Sequence, residues 1–338
     1  MFFSDEINLN NKNDIKEVRK FLNEFDVEFD YPDKTFVIRR NNQIIATGSA
    51  EGNILKYFFS YEEYKGQGLM GIIYNSLLNH LMEKGYDSFF VFTTPNNNII
   101  FESLGLKEVY STETVSLLEG GFYNYERWIA NIKTYLPAKK GIRGSIIMNC
   151  NPMTLGHQYL IQKALNEVDE LLIFVVEEDQ SVFPFKDRFA IMENELVNEP
   201  GVILFKSGPY IISRGTFPTY FIKEKDDMLD IYTKLDGAIF GNKIAKDLDI
   251  DIRFLGTEPQ DIVTSLYNET LKQLLKNSGV NVKVIPRKSI DGKIVSASHV
   301  RDLLSKGKDI EAYTLLPEST IQYLKSEIGQ AIIDKLKL

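Results

Sequence analysis

The chain has 338 residues, of which 43% are hydrophobic and 25% charged, a composition that is typical of a globular protein and excludes long disordered stretches. Its 39 lysine and arginine residues against 47 aspartate and glutamate residues give a net charge of -8, which disfavours nucleic acid and anionic membranes as partners. Any phosphate-binding site must therefore be a locally positive region of an otherwise acidic protein.

Cysteine content and the amino terminus predict a cytoplasmic protein. The single cysteine, Cys150, cannot form an intramolecular disulfide, and the opening MFFSDEINLNNKND lacks the basic segment and apolar run of a secretory signal. No stretch reaches the ~18 uninterrupted apolar residues that a membrane-spanning helix requires. We therefore expect no membrane association.

The length exceeds that of a typical single domain and predicts two domains. The first, 1–118, is expected to hold a mixed sheet with helices. Its strand candidates are TFVIRR from Thr35, QIIATGS from Gln43, LKYFFS from Leu55 and SFFVFTT from Ser88. The first three indicate an antiparallel meander, and the Gly-rich turn KGQG opens the helical segment GIIYNSLLNHLMEKG.

Residues 119–144 are predicted to be the linker, because they combine paired glycines, an amphipathic stretch and the segment PAKKGIRG. Beyond it, 145–338 alternates apolar strand runs with helical segments. The strand candidates are SIIMN from Ser145, LLIFVV from Leu171, VILF from Val202, DGAIF from Asp236, IRFLG from Ile252 and VKVIP from Val282. This alternation predicts a doubly wound, Rossmann-like parallel sheet, so the fold class is α/β.

A first candidate phosphate site lies in NCNPMTLGHQYLIQKAL, where a predicted strand runs into a helix. Unpaired amides at a helix start attract anions, and Gly156 has no side chain to keep a nucleotide from the main chain. Thr154 and His157 are three residues apart and point toward one ligand. Taken alone, the pattern also fits a capped helix whose histidine binds nothing.

A second candidate lies in IVSASHVRDLL, where Ser296 or Ser298 caps a helix that carries Arg301 in its first turn. Alone, this segment also fits a capping serine followed by a surface arginine. Both motifs occur in order on one α/β frame. Together they resemble the HIGH-type nucleotidyltransferase superfamily, with its T/H-x-G-H turn and later S-x-S/T-x-x-R segment.

That resemblance implies attack of an oxygen nucleophile on the α-phosphate of ATP without a covalent enzyme intermediate. It places His157 and Thr154 at the phosphates of the reacting centre, and Ser298 and Arg301 at the departing pyrophosphate. The protein then acts by positioning groups and stabilising charge. Magnesium is expected with the ATP, and no metal-ligating residues are predicted in the chain.

Further candidates in this domain each have a plain alternative. Lys186 follows the second strand near the expected phosphates, or is simply an exposed lysine at a helix start. Arg214 faces a substrate carboxylate, or is a solvated loop charge. The strand IRFL is followed by Gly256, Thr257, Glu258 and Pro259. These residues either admit the adenine or ribose or form a polar turn.

The first domain resembles the acyl-CoA N-acetyltransferase (GNAT-like) fold in EYKGQGLMGIIYNSLLNHL and VFTTPNNNIIFESLGLKEVY. That fold carries R/Q-x-x-G-x-G/A, whose amides cradle the pyrophosphate of CoA. Here the corresponding residues are Lys65, Gly66, Gln67 and Gly68, with Met70 at the last small position. We find no dependable general base, and an alternative is a fold kept for packing or docking.

An acetyltransferase-like front half joined to an adenylyl-transferring back half resembles the citrate lyase ligase family over essentially the whole chain. NPMTLGH, FPTYF, LGTEP and VSASHVR all fit it. The resemblance implies that ATP and acetate form acetyl-adenylate and pyrophosphate. The acetyl group then moves to the thiol of a dephospho-CoA-derived prosthetic group on the acyl carrier subunit, which switches citrate lyase on.

Two other activities stay open at the sequence level. One is a coenzyme adenylyltransferase, in which a phosphate attacks ATP. The other is an acetyl-CoA-dependent acetyltransferase with a regulatory nucleotide-binding domain. A non-catalytic scaffold is a third possibility, against which the intact Thr154, His157 and Arg301 argue.

Overall fold

The computed structural model describes residues 2–177, 181–211, 228–257 and 262–337, and only the backbone of 262–266. It divides into two compact units, Met1–Trp128 with Pro218–Leu235, and Ile129–Phe217 with Asp236–Leu338. Within the described ranges, no helix combines the length and the hydrophobicity needed to cross a bilayer.

The described part of the first unit contains a seven-stranded mixed sheet in the order β1-β2-β3-β4-β5-β7-β6. The strands are β1 (Ser4–Glu6), β2 (Lys34–Arg40), β3 (Gln43–Glu51), β4 (Ile54–Ser60), β5 (Ser88–Thr93), β6 (Lys107–Ser111) and β7 (Ser116–Gly121). The helices are α1 (Lys12–Asn23), α2 (Leu69–Glu83), α3 (Asn98–Ser103) and α4 (Tyr125–Tyr135), the last of which runs across the boundary into the second unit. All neighbouring strands are antiparallel except β4 and β5, which confirms the predicted meander and mixed sheet.

Helices cover both faces of this sheet. Along β2, Val37 packs in the cluster that contains α1, and its neighbour Ile38 packs in the cluster that contains α2, because successive strand residues face opposite sides. On α2, Ile73, Leu77 and Leu81 recur every four residues and are all buried, so the helix turns one apolar stripe to the sheet.

The second unit is built on a parallel sheet that, in the described residues, has five strands in the order β10-β9-β8-β11-β12. These are β8 (Arg143–Met148), β9 (Glu170–Val175), β10 (Val202–Lys206), β11 (Ile252–Gly256) and β12 (Asn281–Ile285), followed by a small hairpin of β13 (Ser289–Ile290) and β14 (Lys293–Ile294). Helix α7 (Met228–Ile239) crosses the boundary, since its residues up to Leu235 belong to the first unit. The other helices are α5 (Leu155–Leu165), α6 (Phe185–Leu196), α8 (Ala245–Asp247), α9 (Ile262–Asn277), α10 (Ala297–Ser305), α11 (Asp309–Tyr313), α12 (Glu318–Lys325) and α13 (Glu327–Lys337). The predicted doubly wound parallel sheet is confirmed.

The core of this unit lies between the sheet and its helices. All six residues of β9 are buried, as expected of a strand covered on both faces. Ile161 and Ala164 of α5 and Ile191 of α6 pack in the same cluster as the strand residues. A separate apolar cluster joins the helices of the carboxyl-terminal segment, from Val300 to Ile333.

The strand predicted at DGAIF from Asp236 is wrong. This segment ends α7 and continues as a π-helix, Phe240–Ile244. Leu235 and Ile239 are four residues apart and both fully buried, so the apolar run is one face of a helix. A short apolar run does not distinguish a buried strand from a buried helix, which explains the error.

The segment 119–144, predicted as the linker, contains regular structure. It holds the end of β7, all of α4 and the start of β8. The boundary between the two units falls inside α4, between Trp128 and Ile129. Strand β8 begins two residues before the predicted domain start because Arg143 is fixed there: its guanidinium lies 2.7 Å from the Glu170 carboxylate on β9.

Candidate active site

A cavity of about 1130 Å³ opens in the second unit at the carboxyl ends of its central strands. The chain passes from β8 to β9 on one side and returns to β11 on the other side of β8, so the strand order reverses at this point. Open parallel sheets bind ligands at such a switch point. The lining includes the last residues of β8, β11 and β12: Ile147, Met148, Leu255, Gly256 and Ile285.

The first predicted motif forms one wall of this cavity. Thr154 is the N-cap of α5, and its backbone N–H donates to Nδ1 of His157 at 3.0 Å. The Thr154 hydroxyl oxygen also lies 3.0 Å from Nδ1. Because a backbone amide only donates, Nδ1 is the acceptor, and the neutral ring carries its proton on Nε2. His157 therefore offers an N–H donor at its outer nitrogen.

The charge state of His157 is set by its surroundings. Burial, followed by the positive charge of Arg287, lowers the pKa of His157 to about 4. An imidazole with that pKa is neutral near pH 7. In the cavity wall it is therefore a neutral hydrogen-bond donor.

This shift gives a stability prediction. The folded pKa of about 4 lies below the ordinary histidine value of 6.5, so the unfolded chain binds the proton more readily between those values. The contribution of His157 is then fully present above pH ~6.5 and is lost as the pH falls toward ~4. We expect the wild type to lose about 2 kcal/mol relative to His157→Gln between pH 7 and pH 4.5. Urea denaturation of both proteins at each pH measures the difference, and parallel pH curves would contradict it.

The second predicted motif forms the adjoining wall. The Ser296 hydroxyl caps α10 by accepting from the His299 N–H at 3.2 Å, and it lies 3.2 Å from the hydroxyl of the exposed Ser298. Nη1 of Arg301 donates to the backbone oxygen of Asn151, in the loop before α5. Burial lowers the pKa of Arg301. His157 and Arg301 thus line one cavity, as the two motifs together predict.

Gly156 brings the two helix starts into contact. A Cβ atom at Gly156 would lie 2.7 Å from the backbone oxygen of Val295, just before the α10 cap. Real Cβ atoms essentially never come this close to another heavy atom. The sequence predicts that Gly156 lets a nucleotide approach the main chain, and the structure adds a packing reason for glycine at this position.

The segment at the start of α6 carries two basic residues. Lys186 is exposed in the first turn of α6 and does not line the cavity. The buried basic residue of that segment is Arg188, which donates from Nη1 to the backbone oxygen of Asn149 at 2.5 Å and so holds the loop after β8. Glu258, Pro259 and Arg214 lie outside the described residues.

Gly256 ends β11 and Thr257 follows it, and the two residues have different surroundings. Gly256 lines the cavity, and a Cβ added there would meet no atom within 4 Å. Thr257 does not line the cavity. Its hydroxyl instead accepts a hydrogen bond from the backbone N–H of Arg287 at 3.1 Å. Its carbonyl oxygen accepts a second one from Nε of Arg287 at 2.8 Å.

Sequence reasoning missed lining residues that come from distant parts of the chain. Arg287 lies two residues after β12, Lys293 lies on the hairpin strand β14, and Arg253 lies on β11 with 2% exposure. Asn268 of α9 donates to the backbone oxygen of Gly256 at 3.2 Å. The rule that ligands bind at the carboxyl ends of parallel strands could have found Arg287.

The cavity is electropositive although the chain as a whole is acidic. Its described lining carries Arg253, Arg287, Lys293 and Arg301. The one carboxylate in that lining is Asp302, whose pKa is lowered by its hydrogen bond to Lys306. Such a balance favours a polyanionic ligand.

In the part of the chain that the structure describes, no three His, Cys, Asp or Glu side chains converge as a metal site. The described cavity lining supplies only the carboxylate of Asp302, which is paired with Lys306. Mg²⁺ binds proteins through one or two carboxylates together with substrate phosphates and water.

A second cavity, of about 1060 Å³, lies within the first unit. Strands β4 and β5 pair in parallel at Ile54 and Leu55, while later residues of both strands line the cavity. Aromatic side chains dominate its walls: Phe25, Phe58, Phe59, Tyr61, Tyr64, Phe92 and Phe101. It is thus a largely apolar cleft at the opening between two strands.

The predicted KGQG turn forms one edge of this first-unit cavity. Lys65, Gly66 and Gly68 line it, and both glycines have φ of +76°, a left-handed conformation that L side chains rarely adopt. Lys65 pairs with Glu62 at 2.6 Å, and the Gln67 amide donates to the Glu63 carbonyl at 3.1 Å. The side chains of Lys65 and Gln67 therefore have protein partners.

The back half of the chain, residues 143–324, matches the family model described as citrate lyase ligase C-terminal domain. The chain is 33% identical to the citrate (pro-3S)-lyase ligase of Escherichia coli K12, over 92% of this chain and 90% of that protein. It is 32% identical to the enzyme of the same name from Klebsiella pneumoniae, over 91% of each. Among solved structures, it is similar to Thermotoga maritima TmcAL bound with alpha-thio ATP, at 15% identity, 56% coverage of each chain and a TM-score of 0.36.

Proposed function

The chain belongs to the citrate (pro-3S)-lyase ligase family and is therefore an acid–thiol ligase, and on this premise we propose that it activates acetate as acetyl-adenylate. ATP supplies the adenylyl group, and pyrophosphate leaves. The acetyl group then passes to the thiol of a dephospho-CoA-derived prosthetic group on the acyl carrier subunit of citrate lyase, and AMP leaves. This acetylation activates the lyase.

One arrangement carries the proposal. The groups of both phosphate-binding motifs, His157 and Arg301, line a single cavity at the switch point of the sheet. Its described lining holds four basic side chains against one carboxylate. A nucleoside triphosphate is the kind of ligand that such a cavity attracts.

The first step exchanges one bond at phosphorus for another. A carboxylate oxygen of acetate forms a bond to the α-phosphorus, and the bond from that phosphorus to the β-phosphate bridging oxygen breaks, so the electron pair leaves with pyrophosphate. Mg²⁺ bound to the triphosphate offsets the charge of the leaving group. The Nε2–H of His157 donates to an oxygen of the α-phosphate, where charge is redistributed in the transition state.

Arg301 acts on the leaving group. Its guanidinium is tied to the Asn151 carbonyl, which holds α10 against the loop before α5 and leaves a planar donor fork for the β- and γ-phosphates. Ser298 is exposed at the start of the same helix, and its proposed role is to donate to the same phosphates. In the second step, the thiol sulfur bonds to the acetyl carbon, the bond from that carbon to the AMP oxygen breaks, and the thiol proton passes to solvent.

The first-unit cavity is the proposed receptor for the CoA-like prosthetic arm. Supporting this role are the left-handed Gly66 and Gly68 at its edge and the apolar cleft between β4 and β5. Glycines in this conformation allow phosphate oxygens to approach backbone amides.

Asparagine substitutions test that role, because asparagine tolerates the left-handed conformation while adding a side chain. We expect Gly66→Asn and Gly68→Asn to raise the apparent KM for the carrier at least about tenfold, which corresponds to roughly 1.4 kcal/mol of binding. Acetate-dependent pyrophosphate release without carrier should be unchanged. Gly85→Asn is the matched control, since Gly85 has φ of +79° and open surroundings but does not line the cavity. Equal carrier kinetics in all three variants would refute the assignment.

The decisive experiment combines the protein with ATP, Mg²⁺, labelled acetate and deacetylated citrate lyase. We expect AMP, pyrophosphate and labelled carrier to form in equal amounts. A dinucleotide product would instead indicate a coenzyme adenylyltransferase. Carrier acetylation from acetyl-CoA without ATP would indicate an acetyltransferase whose second unit is regulatory.

A further inference from the structure

Arg287 occupies a fixed position at the cavity wall. It follows β12 by two residues, and its neighbour in space is Thr257, directly after β11. The Thr257 hydroxyl accepts from the backbone N–H of Arg287 at 3.1 Å, and the Thr257 carbonyl accepts from Nε at 2.8 Å. The Thr257 N–H in turn donates to the Ile285 carbonyl at 2.9 Å. Three hydrogen bonds therefore tie the ends of two neighbouring strands and orient the arginine side chain.

Arg287 and His157 come from different parts of the chain but line the same cavity. Both line the cavity, and the charge of Arg287 is close enough to contribute to the lowered pKa of His157. An arginine guanidinium is a planar, positively charged group with several N–H donors, and its orientation here is set by the bond from Nε to Thr257. A tetrahedral phosphoryl group matches such a group on one side and a single N–H donor on the other.

We propose that Arg287, together with His157, binds the phosphoryl group that the carboxylate attacks, and that Thr257 is the positioning residue of Arg287. This inference rests on the proposed adenylation. It assigns a catalytic residue outside both sequence motifs and gives Thr257 a role through Arg287. Because the phosphoryl charge lies between a cation and a neutral donor, the arginine contributes most where charge builds up in the transition state.

The alternative is that Arg287 only ties β11 to β12, so the test needs a measurement that a structural role would not change. The variants are Arg287→Gln, Arg287→Lys and Thr257→Val, with Lys288→Gln as the matched control, since Lys288 is the next cation along the chain and does not line the cavity. The chain has only three histidines, which makes the ring signals of His157 assignable by NMR.

We expect Arg287→Gln to lower acetate-dependent pyrophosphate release by about 10²- to 10³-fold, the loss typical of removing one preorganised donor at a reacting oxyanion. Arg287→Lys should recover part of this loss, because it restores the charge without the planar fork. Thr257→Val should cost less than about tenfold, since the carbonyl bond to Nε remains. In the NMR titration, the pKa of His157 should rise in Arg287→Gln and stay unchanged in Lys288→Gln.

The inference is overturned if the rate of acetate-dependent pyrophosphate release by Arg287→Gln is within about threefold of the rate of Lys288→Gln. It is also overturned if the pKa of His157 is the same in both variants. Either result leaves the wild-type reaction, and so the proposed function, intact. Failure of the wild type to release pyrophosphate in response to acetate would instead reject the proposed function, and this inference with it.

Discussion

Replacement of His157 with alanine is expected to lower acetate-dependent pyrophosphate release by about 10²- to 10³-fold while the protein remains folded. The imidazole is neutral, and its Nδ1 is occupied by the Thr154 N–H, so Nε2–H is the donor that the variant removes. In the proposed mechanism, that donor acts on an oxygen of the phosphoryl group as bonds to phosphorus exchange. Initial rates at saturating ATP, together with thermal melting, measure the loss and verify the fold.

Two conservative variants distinguish the contributions of the two ring nitrogens of His157. The amide of His157→Gln reaches toward the Nε2 position and keeps a donor there, whereas the shorter amide of His157→Asn reaches only toward the Nδ1 position. We therefore expect the glutamine variant to retain clearly more activity than the asparagine variant. Equal activities would mean that the tautomer inferred from the Thr154 bond is not the reactive one, and wild-type activity in His157→Ala would remove His157 from the mechanism.

The parallel sheet was predictable because each of its strands is a short apolar run with turn residues on both sides. The run at Asp236 failed for a reason that composition does not reveal. The Asp236 carboxylate accepts from the Tyr267 hydroxyl at 2.7 Å, so a polar residue is buried on a helix that the sequence alone presents as strand-like. Only the tertiary partner on α9 distinguishes the two structures.

The two motifs were predictable because the chemistry of a helix start is local. Thr154 caps a helix three residues before His157, and Ser296 caps another five residues before Arg301, so sequence spacing specifies each half of the site. The third component could not be found in this way. Arg287 depends on Thr257, 30 residues earlier, and their contact exists only because β11 and β12 are adjacent in the sheet.

The phosphate contact of Lys186 stays a prediction. The structure shows that the helix phase turns Arg188 inward and leaves Lys186 exposed. A shift of two residues on a helix rotates a side chain by about 200°, so an approximate position in the sequence does not determine which basic residue faces the interior.

Gly156→Ala should be nearly as damaging as loss of His157, although it removes no functional group. The new methyl group would lie 2.7 Å from the Val295 carbonyl oxygen. Val295 has little room to move: it is 2% exposed, and its N–H donates to the Lys288 carbonyl at 2.9 Å. The start of α5 must therefore shift away from α10.

That shift separates groups that have to act on one triphosphate. His157 follows Gly156 directly, and Arg301 lies on α10, so the donor at the α-phosphate moves relative to the cation at the leaving group. A displacement of about 1 Å at a reacting centre can cost 10²-fold, and we expect a loss of that order in kcat. Overpacking should also lower the free energy of unfolding by about 1–3 kcal/mol.

Gly256→Ala is the matched control for stability, because its Cβ would meet no heavy atom within 4 Å and should leave the melting temperature unchanged. Steady-state kinetics and calorimetry of both variants make the comparison. A Gly156→Ala protein with wild-type kcat and stability would mean that the two helix starts tolerate a wider separation. In that case the contact between Gly156 and Val295 would not be what aligns His157 with Arg301.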